Sequence, residues 1–145
     1  MEASRVDPVL GSLAFNVELN WYEGRYRTAA HGEVPFAISL DATPSVEAAL
    51  HDARELIPRL AEALAAAQAY ACDQLLALKN EVWLEEGEGP VTAADFRARL
   101  TIDSIGVYAN RKAEFFFRDG GLFWGHTVLL SWSESQGFVS ADIAG

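Results

Sequence analysis

The sequence is poor in cysteine: Cys72 stands alone among 145 residues. One thiol excludes a disulfide framework and any multi-cysteine metal site. Basic residues are also scarce, 11 Lys and Arg against 21 Asp and Glu, for a net charge of −10. A generic nucleic-acid binder needs a basic surface to displace counterions, so that class is excluded. The same balance argues against anionic membranes. Long apolar runs are missing too. The longest uncharged stretch of helical character, residues 63–72, is mostly alanine and only half the length of a bilayer span. Residues 1–8 hold no apolar stretch, so no signal peptide is expected and the expected location is the cytoplasm.

Catalytic motifs are absent as well. His31-Gly32-Glu33 has the His-x-Glu of zinc deaminases but lacks the Cys-x-x-Cys pair. His51 and Glu55 lie one helical turn apart without a His-Glu-x-x-His motif, so no metal and no cofactor are expected. Gly87-Glu88-Gly89-Pro90 carries glutamates that would repel phosphate, and no Gly-x-Ser-x-Gly elbow occurs. Cys72 sits in an alanine-rich segment beside Asp73. Burial and an acidic neighbour both raise a thiol pKa, so Cys72 is expected to be unreactive.

Half of the residues are apolar, and no repeat or linker divides the chain. A single α+β domain over 1–145 is therefore expected, with a core that needs no staples. Val34, Phe36, Ile38 and Leu40 alternate as one face of a half-buried strand. Strands are expected near 12–22, 25–30 and 33–40, with turns at Glu23-Gly24 and His31-Gly32. Thr43-Pro44 reads as the opening of a helix, with Thr43 as N-cap. An apolar stripe then runs through Val46, Leu50, Ala53, Ile57, Leu60, Leu64, Ala67 and Ala71, with Leu75 and Leu78 extending it. A continuous helix over 44–80 would be roughly 55 Å long, in a domain about 38 Å across, so a break is expected at Pro58.

Residues 81–90 read as a loop, and Thr92 to Asp95 as a capping box opening a short helix. Four strands should follow near 101–108, 113–118, 122–132 and 138–144. A bulge is expected near Asp103-Ser104, a hairpin turn at Asp119-Gly120, and a shared face for Val139, Ala141 and Ile143. The expected architecture is a mostly antiparallel sheet built from both chain ends, packed on one face by the central helices.

On a strand beginning near 122, Trp124, His126, Val128, Leu130 and Trp132 would share a face, and a histidine between two tryptophans could serve as base or recognition group. The plainer reading is a histidine bonded to a backbone carbonyl or an acid. Most of the acidity, net −6, falls within 41–100. There Glu85, Glu86 and Glu88 lie beside Trp83, a candidate anchor for a basic protein partner. The sequence sets no oligomeric state.

Gly121-Leu122-Phe123-Trp124-Gly125-His126-Thr127-Val128 resembles the signature of a family of small bacterial proteins of unknown function. Residues 8–11, 21–24, 80–83, 92–100 and 141–145 fit the same likeness. It implies an α+β fold and no catalytic assignment. Small acidic proteins of this general kind include bacterial immunity proteins, an analogy of size and charge. A non-catalytic protein-binding domain is thus the leading expectation. Alternatives are an enzyme using His126 with a nearby carboxylate, or a subunit of a larger assembly.

Overall fold

The computed structural model describes residues 4–145; Met1, Glu2 and Ala3, part of the segment read as lacking a leader, lie outside the described residues. The elements run β1 (Arg5–Asp7), β2 (Gly11–Asn16), β3 (Trp21–Thr28), β4 (Gly32–Ser39), α1 (Val46–Glu62), α2 (Leu64–Val82), α3 (Ala93–Arg99), β5 (Thr101–Tyr108), β6 (Lys112–Arg118), β7 (Thr127–Ser133) and β8 (Gly137–Ala144). One eight-stranded sheet holds the strands in chain order. Every pair is antiparallel except β4 and β5, which run parallel. Two four-stranded meanders therefore lie side by side, joined by a helical crossover. The expected α+β class and mostly antiparallel sheet are present. No helix among the described residues is long and apolar enough to cross a membrane.

The turn expected at Glu23-Gly24 lies at 17–20 instead, and Glu23-Gly24 sits inside β3. Asn16 turns the chain by accepting from the Leu19 amide at 3.1 Å, and Asn20 takes a left-handed φ of 53°. Gly24 serves packing instead. The Phe36 ring crosses it so closely that a Cβ would stand 2.5 Å from a ring carbon. The His31-Gly32 turn is present.

The helix start and break also moved. Ser45, not Thr43, is the N-cap of α1, accepting from the Ala48 amide; the Thr43 hydroxyl donates to the Leu40 carbonyl. The helix does break, but at Ala63, five residues past Pro58, which α1 absorbs. One missing N–H is tolerable where the apolar stripe is buried on both sides of it, as Ala53, Ile57, Leu60 and Leu64 are. At Ala63 the chain turns from packing on β3, β4 and β5 to packing on β7, β8 and α3. Two helices of about 26 and 28 Å then fit where one of 55 Å could not. Thr92 caps α3 as expected, its hydroxyl accepting from the Asp95 amide at 3.1 Å.

The bulge near Asp103-Ser104 is present as a register shift between Ile102 and Ser104. A second shift opposite Ser131 and Trp132 was not anticipated, and it turns Val139 outward. Phe138 packs instead, 5.6 Å from Phe115 and 5.1 Å from Tyr70. Strand β7 begins at Thr127, so residues 119–126 form a long loop rather than a tight hairpin at Asp119-Gly120.

Arg111 ties the layers together. Its guanidinium meets Asp52 at 2.7 Å and Glu55 at 2.8 Å on α1, and grips Glu134 at 2.6 Å. Arg111, and behind it Arg59, holds the Glu134 carboxyl down to about 2 from an ordinary 4.5. A depressed carboxylate contributes stability above its unfolded value and loses it as pH falls through the folded one. Between pH 4.5 and 2 the melting temperature of the wild type should therefore fall more steeply than that of Glu134→Gln, as read by scanning calorimetry. Parallel curves would show that the cluster contributes nothing.

Candidate functional site

The 119–126 loop is built on one buried carboxylate. Asp119, 6% exposed, accepts from the Gly121 amide at 3.0 Å through Oδ1. Its Oδ2 accepts from the Phe123 amide at 2.8 Å and the Gly125 amide at 2.9 Å. Three converging N–H groups satisfy the charge and set the path of the loop. Arg99 of α3 clamps the outside, donating twice to the Gly120 carbonyl at 2.9 and 3.0 Å.

The clamp has two consequences. Leu122 and Phe123 turn inward and are fully buried, Phe123 edge-on to Phe96 at 6.0 Å. Trp124 turns outward with φ 59°, a left-handed conformation that bulky side chains adopt only when their surroundings enforce it. Its indole is 53% exposed.

Trp83, the C-cap of α2, is the hub on the other side. Its ring lies 4.7 Å from Trp124, 5.4 Å from His126 and 5.6 Å from Phe123. Its carbonyl accepts from Trp124 Nε1 at 3.1 Å and from Lys79 Nζ at 2.8 Å. Lys79 is wholly buried and also reaches Glu88 Oε1 at 2.9 Å. Glu88 in turn accepts from the Glu85 amide at 2.9 Å. That bond, reinforced by Lys79, holds its carboxyl below the usual carboxylate range.

His126 Nδ1 lies 2.6 Å from the Phe123 carbonyl. A carbonyl can only accept, so Nδ1 carries the proton in the neutral ring and Nε2 keeps its lone pair. A backbone oxygen orients the imidazole, and no carboxylate or hydroxyl is hydrogen-bonded to the ring among the described residues.

A family model described as an uncharacterized protein conserved in bacteria, DUF2262, matches residues 7–143. The chain belongs to the DUF2262 family. No curated protein and no solved structure matches it.

In this DUF2262 member the residues singled out by sequence divide into two groups. Trp83, Trp124, His126 and Glu88 come together at the α2 exit, with Glu85 and Glu86 exposed beside them. Trp132 does not join them. It lies roughly 17 Å along β7 from Thr127, at 3.3 Å per residue, with Arg59 over its ring at 5.9 Å. The expected common face therefore fails at Trp124 and His126, which precede the strand.

Three residues of the site escaped the sequence reading. Asp119 reads as a turn former, and its reach to the amides of Gly121, Phe123 and Gly125 leaves no mark in the sequence. Lys79 falls four residues after Leu75 and eight after Ala71, so it continues a buried stripe, and a cation there signals a buried ion pair. Arg99 offered no sequence signal.

Elsewhere, His51, Asp52 and Glu55 place one potential ligand atom each within 4.8 Å. The guanidinium of Arg111 already occupies both carboxylates. Cys72 is buried, its thiol pKa pushed up first by burial, and it faces the Ala93 carbonyl at 3.7 Å.

Proposed function

We propose that this DUF2262 member is a non-catalytic, cytoplasmic protein-binding domain that engages a basic protein partner through the Trp124 corner, in its sharpest form as an immunity or antitoxin-type protein. The observation that carries this reading is Trp124. A large indole is held outward in a strained backbone, its N–H satisfied by the Trp83 carbonyl and its ring backed by Trp83. A rigid, half-exposed aromatic with its polar atom already paired contributes apolar contact at little entropic cost, which is how interface anchors act. Exposed Glu85 and Glu86 border it, and the net charge of −10 favours encounter with a basic surface.

The reading also takes the helices as a layer over one face of the sheet. Its support is that Tyr22, Phe36, Ile105 and Phe115 are buried with the apolar faces of α1 and α2 in one cluster. That layer carries Trp83 and the acidic segment together.

The test uses a partner captured from the native host and measured by stopped flow. Trp124→Ala should weaken binding by at least 30-fold, about 2 kcal/mol, chiefly through faster dissociation. Glu85→Gln with Glu86→Gln should slow association at low salt and leave dissociation nearly unchanged. Glu88 is left intact in that variant, because it holds Lys79. Wild-type affinity in a folded Trp124→Ala variant would remove the corner from the interface.

A further inference from the structure

Strands alternate their side chains, so the positions opposite to Tyr22, Phe36 and Ile38 make a second face of the sheet. An antiparallel sheet that meets water on one side carries polar residues there. This face departs from that pattern. Trp21, Pro35, Tyr108, Phe116 and Leu129 lie on it, half-buried, and none of them belongs to the cluster that holds α1 and α2. Between them the strands carry small residues, Ala37 paired with Gly106. A cleft of about 570 Å³ opens across β3 to β6.

The charges of this face balance, although those of the chain do not. Arg27 pairs with Glu33 at 3.4 Å, and Arg118 with Asp103 at 2.9 Å. The other charged side chains of β2 to β7 on this face are Glu23, Arg25, Lys112 and Glu114. None of these four forms an ion pair among the described residues. Two acids and two bases thus stand unmatched on a neutral face, while the whole chain carries −10. Two copies repel through their acidic surfaces, but not here. A two-fold axis presents the same patch from both sides, so each contact of a base with an acid across it forms twice.

The extent of the face is also sufficient. From β2 to β7 it measures about 24 Å across the strands and about 20 Å along them, a flat footprint near 500 Å². Pleating and side chains raise that toward the roughly 800 Å² that each partner buries in a stable complex. Sheets stack face to face about 10 Å apart, with the side chains of the two faces interdigitated.

We propose that this outward face of the sheet joins two copies of the chain, stacked sheet on sheet about a two-fold axis. Apolar side chains of each copy enter the cleft of the other. Arg25 and Lys112 of one copy meet Glu23 and Glu114 of the other. The proposal does not depend on the Trp124 corner.

Sedimentation equilibrium of the full chain tests it. At about 50 μM, a concentration suited to an interface of this size, the chain should sediment at twice its 15.8 kDa. Ala37→Arg and Leu129→Lys, each placing a cation among the apolar residues of the face, should sediment as monomers with unchanged circular dichroism. If Ala37→Arg does not fold, Leu129→Lys decides alone. Arg25→Glu should weaken the dimer by roughly tenfold at low salt and by less at high salt. Adding Glu23→Arg to it makes the face neutral again and should recover most of that loss. Trp124→Ala should leave the dimer intact. A monomer at about 200 μM, several times the concentration at which such an interface should be occupied, would overturn the proposal and leave the cleft to another occupant. A dimer that survives in folded Ala37→Arg and Leu129→Lys, or one that Trp124→Ala dissociates, would overturn it too. So would an Arg25→Glu loss that Glu23→Arg does not reverse.

Discussion

Asp119→Ala should lower stability by about 3–4 kcal/mol, roughly 10 °C in melting temperature for a domain of this size. The carboxylate accepts from three backbone amides at 2.8 to 3.0 Å in a place where water cannot replace it. Hydrogen bonds to a charged acceptor are worth about 1.5–3 kcal/mol each, and three that share one group do not add in full. Asp119→Asn keeps one oxygen for the Phe123 and Gly125 amides but turns an NH₂ toward the Gly121 amide, so it should lose about half as much. Denaturant unfolding of both variants decides the matter. A loss under 1 kcal/mol in the alanine variant would mean that packing of Leu122 and Phe123, rather than the carboxylate, sets the loop. The same variant should also redden Trp124 emission, because the indole is released from Trp83.

Lys79→Met should cost about 2–3 kcal/mol by urea unfolding. Methionine matches the stem of the lysine but removes one of the two donors to the Trp83 carbonyl and the cation paired with Glu88. A fully buried pair broken on one side loses about 3–5 kcal/mol, and the 25% exposure of Glu88 lets water recover part of that. Adding Glu88→Gln to Lys79→Met should therefore restore some stability, since no charge is then stranded. If the double variant is less stable than Lys79→Met by the full effect of Glu88→Gln alone, the two residues are independent and the ion pair is not the cause. The lowered pKa of Glu88 gives the pair a pH signature. Its contribution is complete above the ordinary carboxylate value and fades as pH falls through the depressed one.

Most element types follow from local patterns, because those rest on chemistry within a few residues. The alternation from Val34 to Leu40 became β4, the Thr92 cap became the start of α3, and the shift near Asp103 became a bulge. Misplaced boundaries were decided by distant contacts. Gly24 reads as a turn until the Phe36 ring is known to cross it. Pro58 reads as a helix breaker until the buried stripe on both sides of it is seen to outweigh one hydrogen bond. Trp124 and His126 alternate with Val128 and Leu130 as a strand would, and only Asp119, drawing in the amides of the intervening residues, makes that stretch a loop. The sequence singles out Trp83, but not the convergence of Trp124, His126 and Lys79 upon it, which needs α2 and the loop brought together in space.

The parallel pairing of β4 with β5, the only one among the described residues, has a consequence for how the chain reaches this state. Within each meander, neighbouring strands are joined by short turns and can pair soon after the chain begins to collapse. The seam between the halves closes only after about sixty intervening residues have been drawn into α1, α2 and α3, and closing a loop of that length carries an entropic penalty that local hairpins avoid. Phe36 against Ile105 and Ile38 against Val107 are therefore expected to form late, and until they do, each half exposes a raw strand edge in the middle of what will become the sheet. The interval before the seam closes is the stage at which this chain is most open to pairing with the wrong neighbour.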